Sequence, residues 1–350
     1  MKQRKPRRMQ EISRLTKDFL NAQPLQSAEP QAPFFSVITP SYNQAQFIRK
    51  NILSVLEQTD GLPHPDVEHI IADGGSRDGT VDVLKEFPHL KWVSERDSGQ
   101  SEALNKGIRM ATGKWIVWIN SDDFLLPGAL DKLRAFLEKT PDAEFIYSDC
   151  QFVNVSGRST QVRKAFYHED PSALYYWWRR GAGFGQPGSF FPKALWEKYG
   201  PFDESLHYTM DFDFWLKISD YVKFHYIPEC LATYRLHDAS KTLEGWKPFT
   251  REHMKVERRY MEAKGGWLKW KFRWLLELMY AKSLILEGLR CRDAGDKKRA
   301  KDNWMEAFFT HPLGFPLSRP FVYYVLQTIT RVPLWKRLKE KIDKDDPTIA

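Results

Sequence analysis

From Phe34 onward, short apolar segments alternate with amphipathic ones. Strands are predicted over 34–39, 68–73 ("EHIIAD"), 91–95 ("KWVSE") and 114–120 ("KWIVWIN"), because each is an apolar run bounded by turn-forming residues. Helices are predicted over 44–57, after Asp78 and over 101–111, where apolar positions recur with helical spacing. This alternation predicts an α/β domain with a mostly parallel sheet flanked by helices.

Three regions follow from the same pattern. Residues 1–33 begin with a basic run and end in the aperiodic "NAQPLQSAEPQAP", which is typical of a tail and linker. Residues 34–245 hold the α/β pattern. Residues 246–350 are predicted to be a C-terminal helical region.

The helical region includes "GWLKWKFRWLLELMYAKSLILEGL", where basic and apolar residues are interleaved. The charges exclude an ordinary membrane span. Two interpretations stay open. Trp267, Trp270 and Trp274 could lie in the headgroup zone of an anionic membrane surface, or the helices could pack on the α/β domain or on a second subunit.

Composition and charge narrow the expected cellular location and the class of ligand. The chain has 42% hydrophobic and 28% charged residues, and its net charge of +8 gathers at the two ends. Its three cysteines lack the spacing of a disulfide framework or a zinc site, and no apolar signal segment follows the basic start. These features predict a cytoplasmic protein. Nucleic-acid binding is not expected, because the basic residues follow no known recognition module.

Polar residues follow each of the four predicted strands, where ligands bind in open α/β sheets. They include Tyr42 after the first, Asp73 after the second, Asp97 after the third, and Asp122 with Asp123 after the fourth. Taken singly, the acids could only cap helices or form turns. Together they predict a nucleotide-diphosphate site, where an aromatic face stacks on a base and carboxylates hold Mg²⁺ or Mn²⁺.

The motifs "SVITPSYNQAQFIRKNILSVLEQT", "IIADGGSRDGTVDVL", "SERDSGQSEALNKGIRMATGKWIVWINSDD" and "MDFDFWLKI" resemble, in order and spacing, the family 2 glycosyltransferases of GT-A fold. The resemblance covers about residues 34–240. It implies that 34–245 form the catalytic domain of an inverting hexosyltransferase. The enzyme would move a sugar from a nucleotide-diphosphate sugar, with a UDP-sugar favoured, to a hydroxyl of a glycan or lipid-linked acceptor in surface polysaccharide biosynthesis.

The resemblance also implies roles for individual residues. The expected nucleotide-binding residues are Pro40, Tyr42, Asn43, Asp73, Gly74, Arg96, Asn120 and Ser121. Metal binding, by Mn²⁺ or Mg²⁺, is expected at Asp122, Asp123 and His237, and Arg235 is a further candidate for the diphosphate. Contacts to sugar or acceptor are expected from Gln100, Asn105 and Gln186. Asn120 departs from the family pattern, since many members carry the first acid of the metal-binding motif there. Either Asn120 makes the ribose contact as a neutral group, or metal dependence is weaker than usual.

The segment "YTMDFDFWLKI" resembles the acceptor-side motif whose acid is the catalytic base. Asp211 matches that acid, although Met210 replaces the usual Glu, and Asp213 is the alternative base. On a helix the two acids point in different directions, so only one of them is expected to reach the acceptor.

Two other functions are alternatives. A non-catalytic carbohydrate-binding or scaffold protein of the same fold is one alternative, and the retained acids argue against it. A sugar nucleotidyltransferase would need a Gly- and Lys/Arg-rich loop after the first strand, which "TPSYNQAQF" lacks. Dinucleotide and P-loop motifs are absent from the sequence. The expected location is the cytoplasm, with peripheral contact to the inner face of the membrane as an option, and oligomerisation stays open.

Overall fold

The computed structural model describes residues 32–165, 183–237, 246–264, 266–293 and 295–311. Most of the predicted tail and linker, and the chain after residue 311, therefore lie outside the described residues. The chain divides into two compact units, the first ending at Phe249 and the second beginning at Thr250.

The first unit contains eight strands within the described ranges, all in one sheet. They are β1 (Phe35–Ser41), β2 (Val67–Asp73), β3 (Lys91–Ser94), β4 (Trp115–Trp118), β5 (Phe145–Val153), β6 (Ser159–Arg163), β7 (Ser189–Pro192) and β8 (Phe224–Arg235). The helices are α1 (Ile48–Leu56), α2 (Thr80–Lys85), α3 (Gln100–Met110), α4 (Ala129–Lys139), α5 (Lys193–Tyr199) and α6 (Met210–Ser219), with short 3-10 turns at Glu57–Thr59 and Gln186–Gly188.

The sheet has the order β3-β2-β1-β4-β7-β5-β6, and β8 pairs with β5. The pairs β1/β2, β1/β4, β2/β3 and β5/β8 are parallel, while β7 runs antiparallel to β4 and β5, and β6 antiparallel to β5. The predicted α/β class, with a mostly parallel sheet flanked by helices, is confirmed. The antiparallel strands all come after the four strands that the sequence pattern identified.

Central strand β1 is buried at every position, as expected for a parallel strand covered on both faces. One apolar cluster includes Val37, Val117 and Leu133, and another includes Ile52 and Ile71. Helix α3 also packs closely on the sheet, because it carries Gly107 at the contact. A Cβ atom there would lie 2.7 Å from Cγ2 of Ile38.

Several predicted boundaries differ from the structure by one or more residues, and two of them lie at loops of one sheet edge. The first helix begins at Ile48 instead of Gln44, because the backbone N–H groups of Gln44 and Ala45 donate to the side chains of Thr80 and Asp78. The fourth strand ends at Trp118, two residues early. In both cases, residues predicted to be regular structure form loops at the same sheet edge.

The second unit contains α8 (Gly266–Asp293) and α9 (Lys297–Thr310), together with most of α7 (Trp246–Lys264). Its buried side chains include Val256, Leu284, Ile285, Ala300 and Ala307. The side chains of Trp267 and Trp270 lie outside the described residues, whereas Trp274 is half exposed. Among the described helices, none has both the length and the apolar character needed to cross a membrane.

Candidate functional site

The carboxyl ends of four strands meet at one edge of the sheet. In the parallel register Ser41 pairs with Asp73, Asp73 with Ser94, and Ile38 with Trp118. The loops that follow these strands are therefore neighbours, and they carry the nucleotide-binding residues expected from the sequence.

Asp73 organises its own loop. Its carboxylate is 2% exposed and accepts from the backbone N–H groups of Gly75 (3.1 Å) and Ser76 (2.9 Å) and from the hydroxyls of Ser76 and Ser94. These donors occupy both carboxylate oxygens. Three of the donors share Oδ2 and one binds Oδ1, so Asp73 holds its own loop while Oδ1 keeps the capacity to accept a further donor such as a base N–H.

Asn43 joins the first two loops. Its backbone N–H donates to Oγ of Ser76 at 2.7 Å, and its side-chain oxygen accepts from the N–H of Arg77 at 3.0 Å. Asn43 has φ of 53°, a left-handed conformation that Asn tolerates better than most residues. Next to these hydrogen bonds, Tyr42 is 62% exposed. The ring is accessible to a stacking partner.

Other predicted nucleotide-binding residues differ in accessibility. Pro40 and Ser121 are buried, and Arg96 is exposed. Gly74 packs against Asp97, because a Cβ atom at position 74 would lie 2.8 Å from a carboxylate oxygen of Asp97. Burial raises the pKa of Asp97.

Asn120 lies at the centre of a hydrogen-bond relay. Its Oδ1 accepts from the indole N–H of Trp118 and from Nε2 of Gln100, both at 2.8 Å. Its Nδ2 donates to Oε1 of Gln186 at 2.9 Å, and Nε2 of Gln186 donates to the backbone carbonyl of Trp118 at 2.9 Å. An indole N–H can only donate and a carbonyl can only accept, so both ends fix the direction of the relay.

The relay explains why this chain carries Asn where an acid is common. The structure places the side chain of Asn120 against protein groups, with Gln186 buried beside it. A carboxylate at position 120 would have no N–H to offer Oε1 of Gln186. Gln100 and Gln186 orient this loop through these hydrogen bonds, and their expected contact with sugar or acceptor stays a prediction.

Asn105 does not reach the site. It is fully buried, and its amide exchanges two hydrogen bonds of 2.9 Å with the backbone of Phe202 and donates to Glu204. The expected contact of Asn105 with sugar or acceptor is therefore wrong for this structure. Its role is to fasten α3 to the loop before α6, a function shared by Ser101, whose hydroxyl donates to the carbonyl of Leu206.

Asp122 and His237 meet, although they are far apart in the sequence. Nε2 of His237 lies 2.9 Å from Oδ2 of Asp122, and their side chains are 8% and 21% exposed respectively. The ring of Phe47 packs against the imidazole with centroids 5.0 Å apart. The pair offers one carboxylate oxygen and one imidazole nitrogen that face each other and remain partly accessible.

Asp123, the neighbour of Asp122, is buried. It is 3% exposed, and its Oδ1 accepts from the backbone N–H of Arg235 at 2.6 Å. Burial raises the pKa of Asp123, and the neighbouring charge of Asp122 adds to the effect. The expectation that Asp123 is a second accessible metal ligand is not met, because its carboxylate is used to hold the end of β8.

Two residues that sequence reasoning did not place as supports hold the loop after β4. The guanidinium of Arg235 donates to the carbonyls of Asp122 (2.5 Å) and Val155 (2.6 Å). Asn51, fully buried on α1, donates through Nδ2 to the carbonyls of Asn120 and Asp123. Asn51 could have been found in the sequence, since it is a polar residue on the apolar face of its helix.

The two candidate bases on α6 have different environments. Asp213 is fully buried, and its Oδ2 lies 3.1 Å from Nζ of Lys217. Asp211 lies in the first helical turn and is partly exposed. The aromatic series Trp118, Phe202 and Phe214, with centroids 5.3 Å and 5.2 Å apart, packs α6 near the end of β4.

Within the described residues, no three His, Cys, Asp or Glu side chains are grouped to hold a metal ion. Asp122 supplies a carboxylate suited to Mn²⁺ or Mg²⁺, and His237 supplies an imidazole, which suits a transition metal such as Mn²⁺ better than Mg²⁺. Mg²⁺ is usually held by one or two carboxylates with substrate phosphates and water. The donor pair therefore fits a cation whose remaining ligands come from a bound diphosphate.

Comparison with known proteins gives the same family as the sequence motifs. Residues 36–194 match the model of glycosyl transferase family 2. An uncharacterised glycosyltransferase of Rickettsia typhi is 27% identical over 60% of this chain and 66% of its own length. A PGL/p-HBAD biosynthesis glycosyltransferase of Mycobacterium tuberculosis is 29% identical over 52% of this chain and 68% of its own length. The chain thus spans about two thirds of these relatives.

Among solved structures, that of S. aureus TarS in complex with UDP-GlcNAc superposes with a TM-score of 0.55 at 15% identity, covering 78% of this chain and 79% of the other. At that identity the likeness shows the fold alone. It agrees with the GT-A expectation. Through residues 36–194, which are less than half of the chain, the protein is similar to glycosyl transferase family 2, and its fold is of the GT-A type that the motifs predicted.

Proposed function

We propose that this enzyme transfers a sugar from a nucleotide-diphosphate sugar to an acceptor hydroxyl with inversion at the anomeric carbon. The observation that carries the proposal is the 2.9 Å approach of His237 to Asp122 beside the aligned ends of β1 to β4. A carboxylate and an imidazole at this edge suit a metal-bridged diphosphate. Similarity to glycosyl transferase family 2 supports the transfer of a sugar.

The donor's base would stack on the exposed ring of Tyr42, beside the loop that Asp73 and Asn43 hold. Rigid loops lower the entropy that ligand binding costs. TarS, which has the same fold, binds UDP-GlcNAc. We therefore favour a UDP-sugar as the donor.

Asp122 and His237 would hold Mn²⁺ or Mg²⁺. Such an ion, when bound, neutralises charge on a departing diphosphate. The protein's own contribution is to keep the two side chains together. Arg235 binds the carbonyl of Asp122, Asp123 binds the backbone of Arg235, and Phe47 packs on the imidazole of His237.

Asp211 would act as the catalytic base. Its carboxylate accepts the proton of the acceptor hydroxyl while that oxygen attacks the anomeric carbon on the face opposite the leaving diphosphate. One displacement inverts the configuration and needs no enzyme nucleophile. Asp213 is the weaker candidate, because its burial and its pairing with Lys217 keep it from an acceptor.

The acceptor would be a hydroxyl of a glycan or of a lipid-linked sugar, in surface polysaccharide biosynthesis. This part rests on the resemblance and on relatives such as the M. tuberculosis enzyme, which is named for PGL/p-HBAD biosynthesis. We place the enzyme in the cytoplasm, with peripheral contact to the inner face of the membrane. Its oligomeric state is left open.

The test is a thermal-shift series with UDP, GDP, dTDP and CMP, each with and without Mn²⁺. We expect one nucleoside diphosphate, UDP, to raise the melting temperature in the presence of Mn²⁺, and Asp122→Ala to abolish the rise. The same samples, given the matching UDP-sugar, should release UDP slowly by hydrolysis. Absence of a shift with every nucleotide would refute the proposal.

A further inference from the structure

A cleft in the second unit has no role in the proposed reaction. Its volume is about 410 Å³, and it lies between α7 and Tyr280 of α8. Four basic side chains line it, from Arg251, Lys255, Arg258 and Arg259, with Glu262 as the acidic member. Ligand pockets commonly have volumes of this order.

The basic residues share one face of α7. Their spacing of four, seven and eight residues from Arg251 places them on adjacent turns of one helix stripe, and all four are exposed. The opposite face carries buried residues such as Val256 and Met261. The charged face is therefore fixed in direction by the packing of the helix.

One cation at the cleft is held in place. Nε of Arg251 donates to the hydroxyl of Tyr280 at 2.8 Å, and that hydroxyl donates to Glu306 of α9 at 2.6 Å. Arg251 also forms an ion pair with Glu306. Arg251 is thus ordered before any ligand arrives, which reduces the entropy that binding costs.

Two further cations, Arg258 and Lys255, are less fully neutralised. Arg258 approaches Glu277 only to 3.7 Å. Lys255 has no hydrogen bond or ion pair with any residue in the described part of the chain. Like charges four residues apart on a helix repel each other. An anion in the cleft would relieve this repulsion and give Lys255 a partner.

The lining also favours an organic substituent on that anion. Met254 and the ring of Tyr280 form an apolar wall beside the cations. Arg forks bind phosphate with two parallel hydrogen bonds, and Lys binds it as a point charge. We propose that this cleft binds a phosphate group carried by an organic molecule, either a phospholipid headgroup or a soluble phosphate ester. The proposal is independent of the transfer reaction.

The test measures binding by the full-length protein of glycerol 1-phosphate in solution, by calorimetry, and of phosphatidic acid in phosphatidylcholine vesicles, by co-sedimentation. Lys255→Ala should weaken binding roughly tenfold, the loss expected for one charge-assisted contact. Lys301→Ala, on an exposed position of α9 outside the cleft, removes the same charge and should leave binding unchanged. Circular dichroism checks that each variant is folded.

The two arms separate the sources of the phosphate. Binding of the soluble ester that depends on Lys255 assigns a soluble ligand, and Lys255-dependent binding to vesicles alone assigns a lipid headgroup. The proposal is overturned if neither probe binds, if Lys255→Ala binds as well as the wild type, or if Lys301→Ala weakens binding equally.

Discussion

Nε2 of His237 lies 2.9 Å from Oδ2 of Asp122 across 115 residues of sequence. The loop after β4 supplies the carboxylate, and the residues just beyond β8 supply the imidazole. His237 follows β8 and Asp122 follows β4, and these strands lie in different parts of the sheet. The pair therefore forms only when both parts of the sheet are folded.

The first prediction concerns this pair. His237→Ala should lower the affinity of Mn²⁺ for the UDP-bound protein at least about tenfold, because it removes one of two protein donors. Titration of Mn²⁺ followed by thermal shift measures the effect. His64→Ala removes an exposed imidazole elsewhere and serves as the control. An unchanged Mn²⁺ dependence in His237→Ala would exclude a metal role for His237.

The second prediction concerns the relay through Asn120. Asn120→Asp should destabilise the protein by about 1–3 kcal/mol at pH 7, since Oε1 of Gln186 loses its donor and stays buried. Protonation of the new carboxyl restores a donor, so its pKa in the folded protein lies above the unfolded value. The folded state then binds the proton more tightly, and the loss shrinks as pH falls.

Urea unfolding of both proteins at pH 7 and pH 5 measures that difference. A destabilisation of the same size at both pH values would show that the direction of the relay does not matter. Gln100→Ala is the matched control, because it removes a donor to Asn120 without reversing the relay, and its effect should not depend on pH in this way.

The sequence predicted the sheet edge better than the contacts made there. Strand ends and the acids after them follow from local patterns, so Tyr42, Asp73 and Asp122 could be assigned to one edge. The inward orientation of Asp123 could not, because it depends on the backbone of Arg235 from a distant strand. Asn105 was misassigned for the same reason, since its partner Phe202 is 97 residues away.

The third prediction separates the two acids of α6. Asp211→Asn should reduce transfer by about 10²- to 10⁴-fold, the usual cost of removing a positioned base, while leaving UDP binding unchanged. Asp213→Asn should instead lower stability by about 1–3 kcal/mol, because Lys217 loses the buried partner 3.1 Å away. Measuring the transfer rate and the melting temperature of both variants distinguishes a catalytic acid from a structural one. Full activity in Asp211→Asn would show that Asp211 is not the catalytic base.

The fourth prediction is a pH dependence that does not involve the active site. Burial lowers the pKa of His69 to about 3, and its Nε2 lies 3.0 Å from Oγ1 of Thr39. In the unfolded chain His69 therefore becomes protonated below about pH 6.5, whereas in the folded protein it stays neutral down to about pH 3. The contribution of His69 to the free energy of unfolding is complete above about pH 6.5 and falls by about 1.4 kcal/mol per pH unit as the pH drops toward 3. His89 and His253, whose pKa values burial also lowers, add to the slope.

His69→Gln should flatten this dependence between pH 7 and pH 5, as measured by urea unfolding. His64→Gln replaces an exposed histidine and should leave the slope unchanged. Equal slopes in wild type and His69→Gln would show that His69 accepts a proton without unfolding.

The segment that matches the family model ends at residue 194, ahead of both Asp211 and His237. A hybrid enzyme joined near that point would take Tyr42, Asp73 and Asp122 from one parent and the other two side chains from the second. In such a hybrid, Asp122 would come from one parent and His237 from the other, so their contact would depend on segments that did not evolve in the same protein. Recombination between such enzymes should therefore succeed when the exchanged cassette extends past β8 to include His237, and fail when it stops at the family segment.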